Sequence, residues 1–249
     1  MKKYMKQYLI ITFILSYLSF GIIVISNTTF VDIFSNPIHI LLLTLGFLGP
    51  LISTLILHMV YKGELGGFNS FIDNFKVNKS KYSIITVFAL LATHYGLASI
   101  LQIVDSYGEI IDFFKYFPIM ILFLGSQEIG WRGIVQPYYE KEKGYYKSII
   151  ITGLFWAIWF LPLTYIRGFY ISPNFYVQFA SYLIGLSFLL TSMYKVSKSF
   201  LYPILLSGLI FSLVPVIVFK LGSMLIGLAA IEGLVASFFK ERDFQTKNT

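Results

Sequence analysis

Residues 38–60 read IHILLLTLGFLGPLISTLILHMV, a run of 23 residues that contains no Asp, Glu, Lys or Arg. An α-helix needs about 20 mostly apolar residues to cross the hydrocarbon core of a bilayer. This stretch therefore predicts a membrane-spanning helix, and similar runs elsewhere predict a bundle of about eight such helices. The predicted spans cover residues 8–25, 38–60, 83–104, 113–136, 148–166, 175–194, 200–219 and 221–239.

The composition of the whole chain agrees with a membrane protein. Of the 249 residues, 57% are apolar and only 12% are charged, whereas about 25% of the residues in a soluble domain are charged. The chain has no cysteine, which excludes disulfides, thiolate metal sites and cysteine nucleophiles. Neither the strand-type alternation of a membrane barrel nor an internal repeat is present in the sequence. We therefore predict an all-α membrane protein that forms one polytopic domain over residues 1–249.

The basic residues predict how this domain is oriented. One side of the eight-span arrangement carries the N-terminus, the loops at 61–82, 137–147 and 195–199, and the C-terminal tail. That side holds 15 Lys and Arg residues, and the other side holds three. Because Lys and Arg accumulate in cytoplasmic loops, both termini are expected in the cytoplasm. The expected location is a cell membrane, with a bacterial inner membrane as the natural host.

The same distribution bears on the partners of the chain. The basic residues lie at the ends of apolar runs and do not form one stripe, so a nucleic-acid partner is not expected. Membrane lipid is the expected surrounding, and the basic loops allow contact with anionic lipid.

Few ionisable residues fall inside the predicted spans. Glu128 and Arg132 lie in the stretch GSQEIGWRG at 125–133, His94 lies in span three and Glu232 lies in span eight. A charged side chain at the bilayer centre costs about 2.5–3.5 kcal/mol on insertion scales, so such residues are expected to be functional or tightly paired.

Glu128 and Arg132 have the i,i+4 spacing of a helical salt bridge, with the acid first, which is the favourable order. Two roles are open for this pair. It can be a structural ion pair that fixes helix packing, or it can be a clamp that also contacts a substrate.

Three stretches together resemble one known family: QEIGWRGIVQP at 127–137, GLFWAIWFLPL at 153–163 and PILLSGLIF at 203–211. It is the CAAX-protease and bacteriocin-processing (CPBP, or Abi) family of intramembrane metalloproteases, and the resemblance covers a core at about 120–212. The resemblance implies a bundle of eight helices and cleavage of peptide bonds within the membrane. It also implies a glutamate-activated water, two histidines and an asparagine on neighbouring helices, and an association with bacteriocin self-immunity.

The positions that match the family motifs are Gln127, Glu128, Arg132, Trp156, Phe160, Ser207 and Phe211. The chain departs from the family pattern at four of them. Gln127 stands at the leading glutamate, Phe160 and Ser207 stand at the two histidines, and Phe211 stands at the asparagine. A phenyl ring has no lone pair for a metal, and an amide cannot act as a general base. We therefore expect no active catalytic residue, no metal ligand and no cofactor, with Glu128 and Arg132 kept as a clamp.

Three functions are open at this point. The favoured one is a non-catalytic pseudoprotease that binds a peptide, a lipidated segment or a membrane-protein partner, in bacteriocin self-immunity or in regulation. The second is an active intramembrane metalloendopeptidase of the CAAX-processing type, which would need zinc. The third is a small permease whose polar path uses Glu232, His94 and Glu128. No histidine is spaced i,i+4 from another histidine or glutamate, so a relocated zinc site at His39, His58 or His94 is not expected.

Overall fold

The computed structural model describes residues 1–76, 81–220, 228, 231–233 and 235, and these residues are mostly helical. The α-helices are α1 (Lys3–Ile25), α2 (Pro37–Val60), α3 (Lys62–Leu65), α4 (Gly67–Asp73), α5 (Lys81–Ile100), α6 (Ile110–Met120), α7 (Glu128–Gly130), α8 (Gln136–Lys143), α9 (Tyr145–Phe160), α10 (Tyr176–Ser197) and α11 (Leu201–Leu213). Turns of 3-10 helix lie at Asp32–Ser35, Leu161–Tyr165 and Pro173–Phe175, and π-helical turns lie at Ile121–Gly125 and Trp131–Val135. The predicted all-α membrane class is confirmed.

Six runs of helix are long and apolar enough to cross a membrane. They are Lys3–Ile25, Pro37–Val60, Ser83–Ile100, Ile110–Lys143, Tyr145–Tyr165 and Pro173–Ser197, and they overlap the first six predicted spans with differences at the ends. The seventh predicted span corresponds to α11, which is apolar but has only 13 residues. The eighth predicted span, 221–239, lies largely outside the described residues.

Two of the predicted spans end earlier than the hydropathy indicates. Helix α5 stops at Ile100 rather than at residue 104, and α11 stops at Leu213 rather than at residue 219. The residues beyond them form strands β1 (Val104–Tyr107) and β2 (Ile217–Phe219), which pair antiparallel. Pro215 precedes β2 and has no N–H with which to continue the helix. Strand β2 is as apolar as α11, so hydropathy alone does not separate the two. Strand β1, in contrast, contains Asp105 and Ser106.

Contacts between helix ends agree with the predicted alternation of loops. At the lysine-rich end, the Tyr61 hydroxyl donates to Gln7 Oε1 at 2.7 Å. At the opposite end, the Phe30 N–H donates to the carbonyl oxygen of Arg167 at 2.7 Å. Of the 15 basic residues on the lysine-rich side, Lys79, Lys240, Arg242 and Lys247 lie outside the described residues. Which end faces the cytoplasm stays a prediction.

Buried tryptophans hold the centre of the bundle together. The Trp159 ring on α9 packs edge-on against Phe20 of α1, with centroids 5.5 Å apart, and against Phe47 of α2, with centroids 5.8 Å apart. Trp159 Nε1 also donates to Ser16 Oγ at 2.7 Å. Trp131 lies beside Trp159 and is fully buried. Helices α1, α2 and α9 are thereby fixed around the segment that carries the first motif.

We expect the lysine-rich end to face the cytoplasm. Because the chain has no native cysteine, single cysteines at Glu64, which is exposed at that end, and at Val31, which is 75% exposed at the other, report orientation directly. A membrane-impermeant maleimide added to intact cells should label Val31→Cys and leave Glu64→Cys unlabelled. Both variants should react after permeabilisation, and the reverse pattern in intact cells would contradict the prediction.

Candidate functional site

The segment that carries the first motif is a distorted helix. Its π-helical turns, Ile121–Gly125 and Trp131–Val135, flank α7 at Glu128–Gly130 on both sides. Turns of this kind are rare and occur frequently at functional sites. Gly125 allows close contact with α11, since a Cβ atom there would lie 2.8 Å from the carbonyl oxygen of Ile204. The segment is therefore packed tightly against the helix that carries the third motif.

Trp156 of α9 brings the three motifs together. Its Nε1 donates to Gln127 Oε1 at 2.9 Å, and Gln127 Nε2 donates to the carbonyl oxygen of Phe123 at 2.7 Å. Both polar ends of the Gln127 amide are thus engaged. The Trp156 ring also faces Phe160 and Phe211, with centroids 6.2 Å and 6.1 Å away. Three of the four departed positions therefore surround one indole.

Ser207, the fourth departed position, lies one helical turn before Phe211 on α11. Its Oγ donates to the carbonyl oxygen of Leu124 at 3.3 Å, in the segment that also carries Gln127, and its side chain is fully buried. We call this group of buried side chains the motif centre. Its members are Gln127, Trp156, Phe160, Ser207 and Phe211.

The side chains of the motif centre do not fit the zinc ion that the family resemblance implies. Zinc sites are built from N, S and O donors, with three protein ligands in a catalytic site. Phe160 and Phe211 have no donor atom, and the neutral Ser207 hydroxyl already donates to a backbone carbonyl. The Gln127 amide oxygen accepts from Trp156. Across the described part of the chain, no group of three or more His, Cys, Asp and Glu could hold a metal.

Glu128 and Arg132 form the ion pair that their spacing predicts. Arg132 Nε lies 3.0 Å from Glu128 Oε2, and both side chains are fully buried. The pair borders the motif centre, because Arg132 Cζ lies 5.8 Å from the centroid of the Trp156 ring, within cation–π range. Arg132 Nη1 and Nη2 have no hydrogen-bond partner among the described residues. Buried N–H groups without an acceptor destabilise a protein. An additional acceptor beside the guanidinium would therefore be favourable.

The three histidines occupy separate surroundings. His39 lies in the first turn of α2, and His58 Nδ1 lies 2.9 Å from the carbonyl oxygen of Thr54 within the same helix. His94 Nδ1 lies 2.5 Å from Glu232 Oε1. The sequence marks His94 and Glu232 as unusual intramembrane residues, but not as partners. They are 138 residues apart, so no local pattern connects them.

The sequence is similar to known proteins. Residues 109–210 match a family model described as type II CAAX prenyl endopeptidase Rce1-like. A curated protein of Methanococcus maripaludis, CAAX prenyl protease 2, is 26% identical over 181 residues. The alignment covers 66% of this chain and 64% of that protein, which is less than two thirds of the relative's length.

Replacing Arg132 by alanine should destabilise the protein by about 3–5 kcal/mol, because Glu128 would stay buried without its counter-charge. The apparent melting temperature in detergent should fall by roughly 10 °C. Lys115→Ala is the matched control, since it removes an i,i+3 ion pair with Asp112 that is exposed and 2.8 Å long. That control should stay within about 2 °C of the unmodified protein. An unchanged melting temperature for Arg132→Ala would refute the stabilising role of the pair.

Proposed function

We propose that this chain, which matches the Rce1-like family model and resembles CAAX prenyl protease 2, is a non-catalytic member of the CPBP family of CAAX protease-like membrane proteins. In this proposal the bundle binds a peptide, a lipidated segment or a membrane-protein partner and does not cut it. Bacteriocin self-immunity, or regulation of a membrane partner, is the role that we propose for such binding. Fold and activity are separable, so family membership leaves this possibility open.

The observation that carries the proposal is the packing of the motif centre. Where the family pattern has two histidines and an asparagine, this chain has two buried phenyl rings and one buried hydroxyl. The rings of Phe160 and Phe211 pack against Trp156. Water that is not bound to a metal keeps its proton at neutral pH and is a poor nucleophile. These side chains support a packed scaffold better than a hydrolytic site.

The general-base position supports the same proposal. The Gln127 amide cannot accept a proton as a carboxylate can. Glu128 is adjacent in sequence, but successive residues on a helix point about 100° apart. Its carboxylate is paired with Arg132 instead. Neither side chain therefore substitutes readily for the family's glutamate base.

Recognition of a partner is proposed to involve the Glu128–Arg132 pair. The guanidinium of Arg132 borders Trp156 and has terminal nitrogens without acceptors among the described side chains and backbone. Arginine presents its N–H groups in a planar fork that suits carboxylate oxygens and also reaches carbonyl oxygens. A peptide carbonyl or a terminal carboxylate would satisfy these donors, so we propose this chemistry for the bound partner.

An active CAAX-type endopeptidase is the second candidate, and the name of the Methanococcus maripaludis relative favours it. The two candidates differ in metal content and in cleavage. We expect the purified protein to contain far less than one zinc per chain and to leave a prenylated CAAX peptide intact. Stoichiometric zinc, measured by plasma mass spectrometry, or cleavage of that peptide would support the endopeptidase and overturn our proposal.

A matched variant makes this test sharper. Gln127→Glu, Phe160→His, Ser207→His and Phe211→Asn together should restore about one zinc per chain, because these positions converge in the motif centre. Gln127→Glu alone should bind none and serves as the control. A quadruple variant that keeps a cooperative melting transition but binds no zinc would mean that the four positions do not form a shared site.

Binding can be measured separately from cleavage. A fluorescent prenylated peptide with a free carboxylate should bind the protein in vesicles, and Arg132→Gln should weaken this binding about tenfold, or about 1.4 kcal/mol. Arg132→Lys keeps the charge and should lose less affinity, while melting curves of both variants control for folding. Equal affinity for the unmodified protein and folded Arg132→Gln would exclude the proposed contact, and a lack of binding by the unmodified protein would contradict recognition of lipidated peptides.

A further inference from the structure

A second group of buried polar side chains lies outside the motif centre. His94 of α5 has its Nδ1 atom 2.5 Å from Glu232 Oε1 and its Nε2 atom 3.2 Å from the Tyr182 hydroxyl of α10. All three side chains are buried, and His94 and Glu232 are completely inaccessible. We call His94, Tyr182 and Glu232 the polar triad. It joins three parts of the chain that are far apart in sequence.

Aromatic rings enclose the imidazole of the polar triad. Tyr95 and Phe219 lie 4.9 Å and 5.8 Å from the His94 ring, centroid to centroid. The Tyr95 hydroxyl donates to the carbonyl oxygen of Ile210 at 2.6 Å, which ties α5 to α11. Apart from Glu232, the imidazole is thus held by contacts with side chains of α5, α10 and β2. Its two nitrogen atoms are hydrogen-bonding groups in otherwise aromatic surroundings.

Two described residues near Glu232 pack against the bundle. Leu228 is fully buried in the main hydrophobic core. A Cβ atom at Gly233 would be in ordinary van der Waals contact with Phe188 of α10. A carboxyl group in such surroundings is strongly unfavourable unless it has a hydrogen-bonding partner. His94 supplies that partner for one carboxyl oxygen.

We propose that the polar triad is a contact that selects Glu232 and so fixes the register in which residues 231–233 pack on α5 and α10. A one-residue shift would place Ile231 or Gly233, neither of which has a polar side chain, opposite the imidazole and would leave Glu232 without a partner. A single buried polar contact is known to specify register in other helical assemblies. This role is independent of what the motif centre binds, so it goes beyond the proposed function.

The first test is a double-mutant cycle on the full-length protein in detergent. His94→Leu and Glu232→Leu should each lower the apparent melting temperature by roughly 10 °C, because each leaves a buried polar group unpaired. The double variant removes both members of the His94–Glu232 contact and should recover part of that loss, since only the Tyr182 hydroxyl is then left without His94. A double variant whose loss equals the sum of the single losses would show that the two residues are uncoupled, and would overturn the proposal.

The second test measures the register as a distance between two spin labels. Spin labels at Val235→Cys and at Val177→Cys, which is 68% exposed on α10, give one distance distribution by pulsed electron resonance. We expect a single narrow distance in the otherwise unmodified chain and in Glu232→Gln, which can still hydrogen-bond His94. The double variant that combines His94→Leu with Glu232→Leu should broaden or split the distribution even where its melting temperature recovers. A distribution that stays narrow and unshifted in that variant would mean that packing alone sets the register.

Discussion

A bundle of apolar helices in a bilayer has no water with which to satisfy polar groups, so each buried polar side chain depends on a partner within the protein. The Gln127 amide meets this constraint by bonding both to Trp156 and to a backbone carbonyl. Glu128 meets it with Arg132, and Glu232 meets it with His94. Two of these three contacts join separate helices or segments. They therefore determine which helix faces meet, in addition to offsetting the cost of burial.

The packing of the motif centre explains how a scaffold can persist when its donor atoms change. The stability of the bundle comes from close packing and from satisfied polar groups, and neither requires a metal. Phe160 and Phe211 fill space beside Trp156, so the helices keep their contacts. The zinc chemistry that the family resemblance implies would depend, in contrast, on a few lone pairs at those positions. A stable bundle and side chains without such lone pairs are therefore physically compatible.

The sequence predicted those features that depend on local composition and spacing. Apolar runs located the first six spans, and the i,i+4 spacing predicted the contact between Glu128 and Arg132. Features that depend on distant residues were not predictable in this way. The pairing of His94 with Glu232 and of β1 with β2 joins segments separated by more than a hundred residues. The π-helical turns beside α7 also leave no distinct sequence pattern, because they follow from how the helix packs.

A continuous row of aromatic rings connects the motif centre with the polar triad. Trp156 contacts Phe160, Phe160 contacts Phe179 at 5.3 Å between centroids, and Phe179 contacts Tyr182 at 6.4 Å. Tyr182 in turn lies 5.6 Å from His94. Close-packed interiors have little free volume, so this row makes the wall between α9 and α10 rigid. The guanidinium beside Trp156 lies within this packed region, and both side chains are fully buried, so a partner must displace neighbouring side chains before it reaches the guanidinium. That displacement costs free energy, which reduces the affinity of binding whether or not a reaction follows.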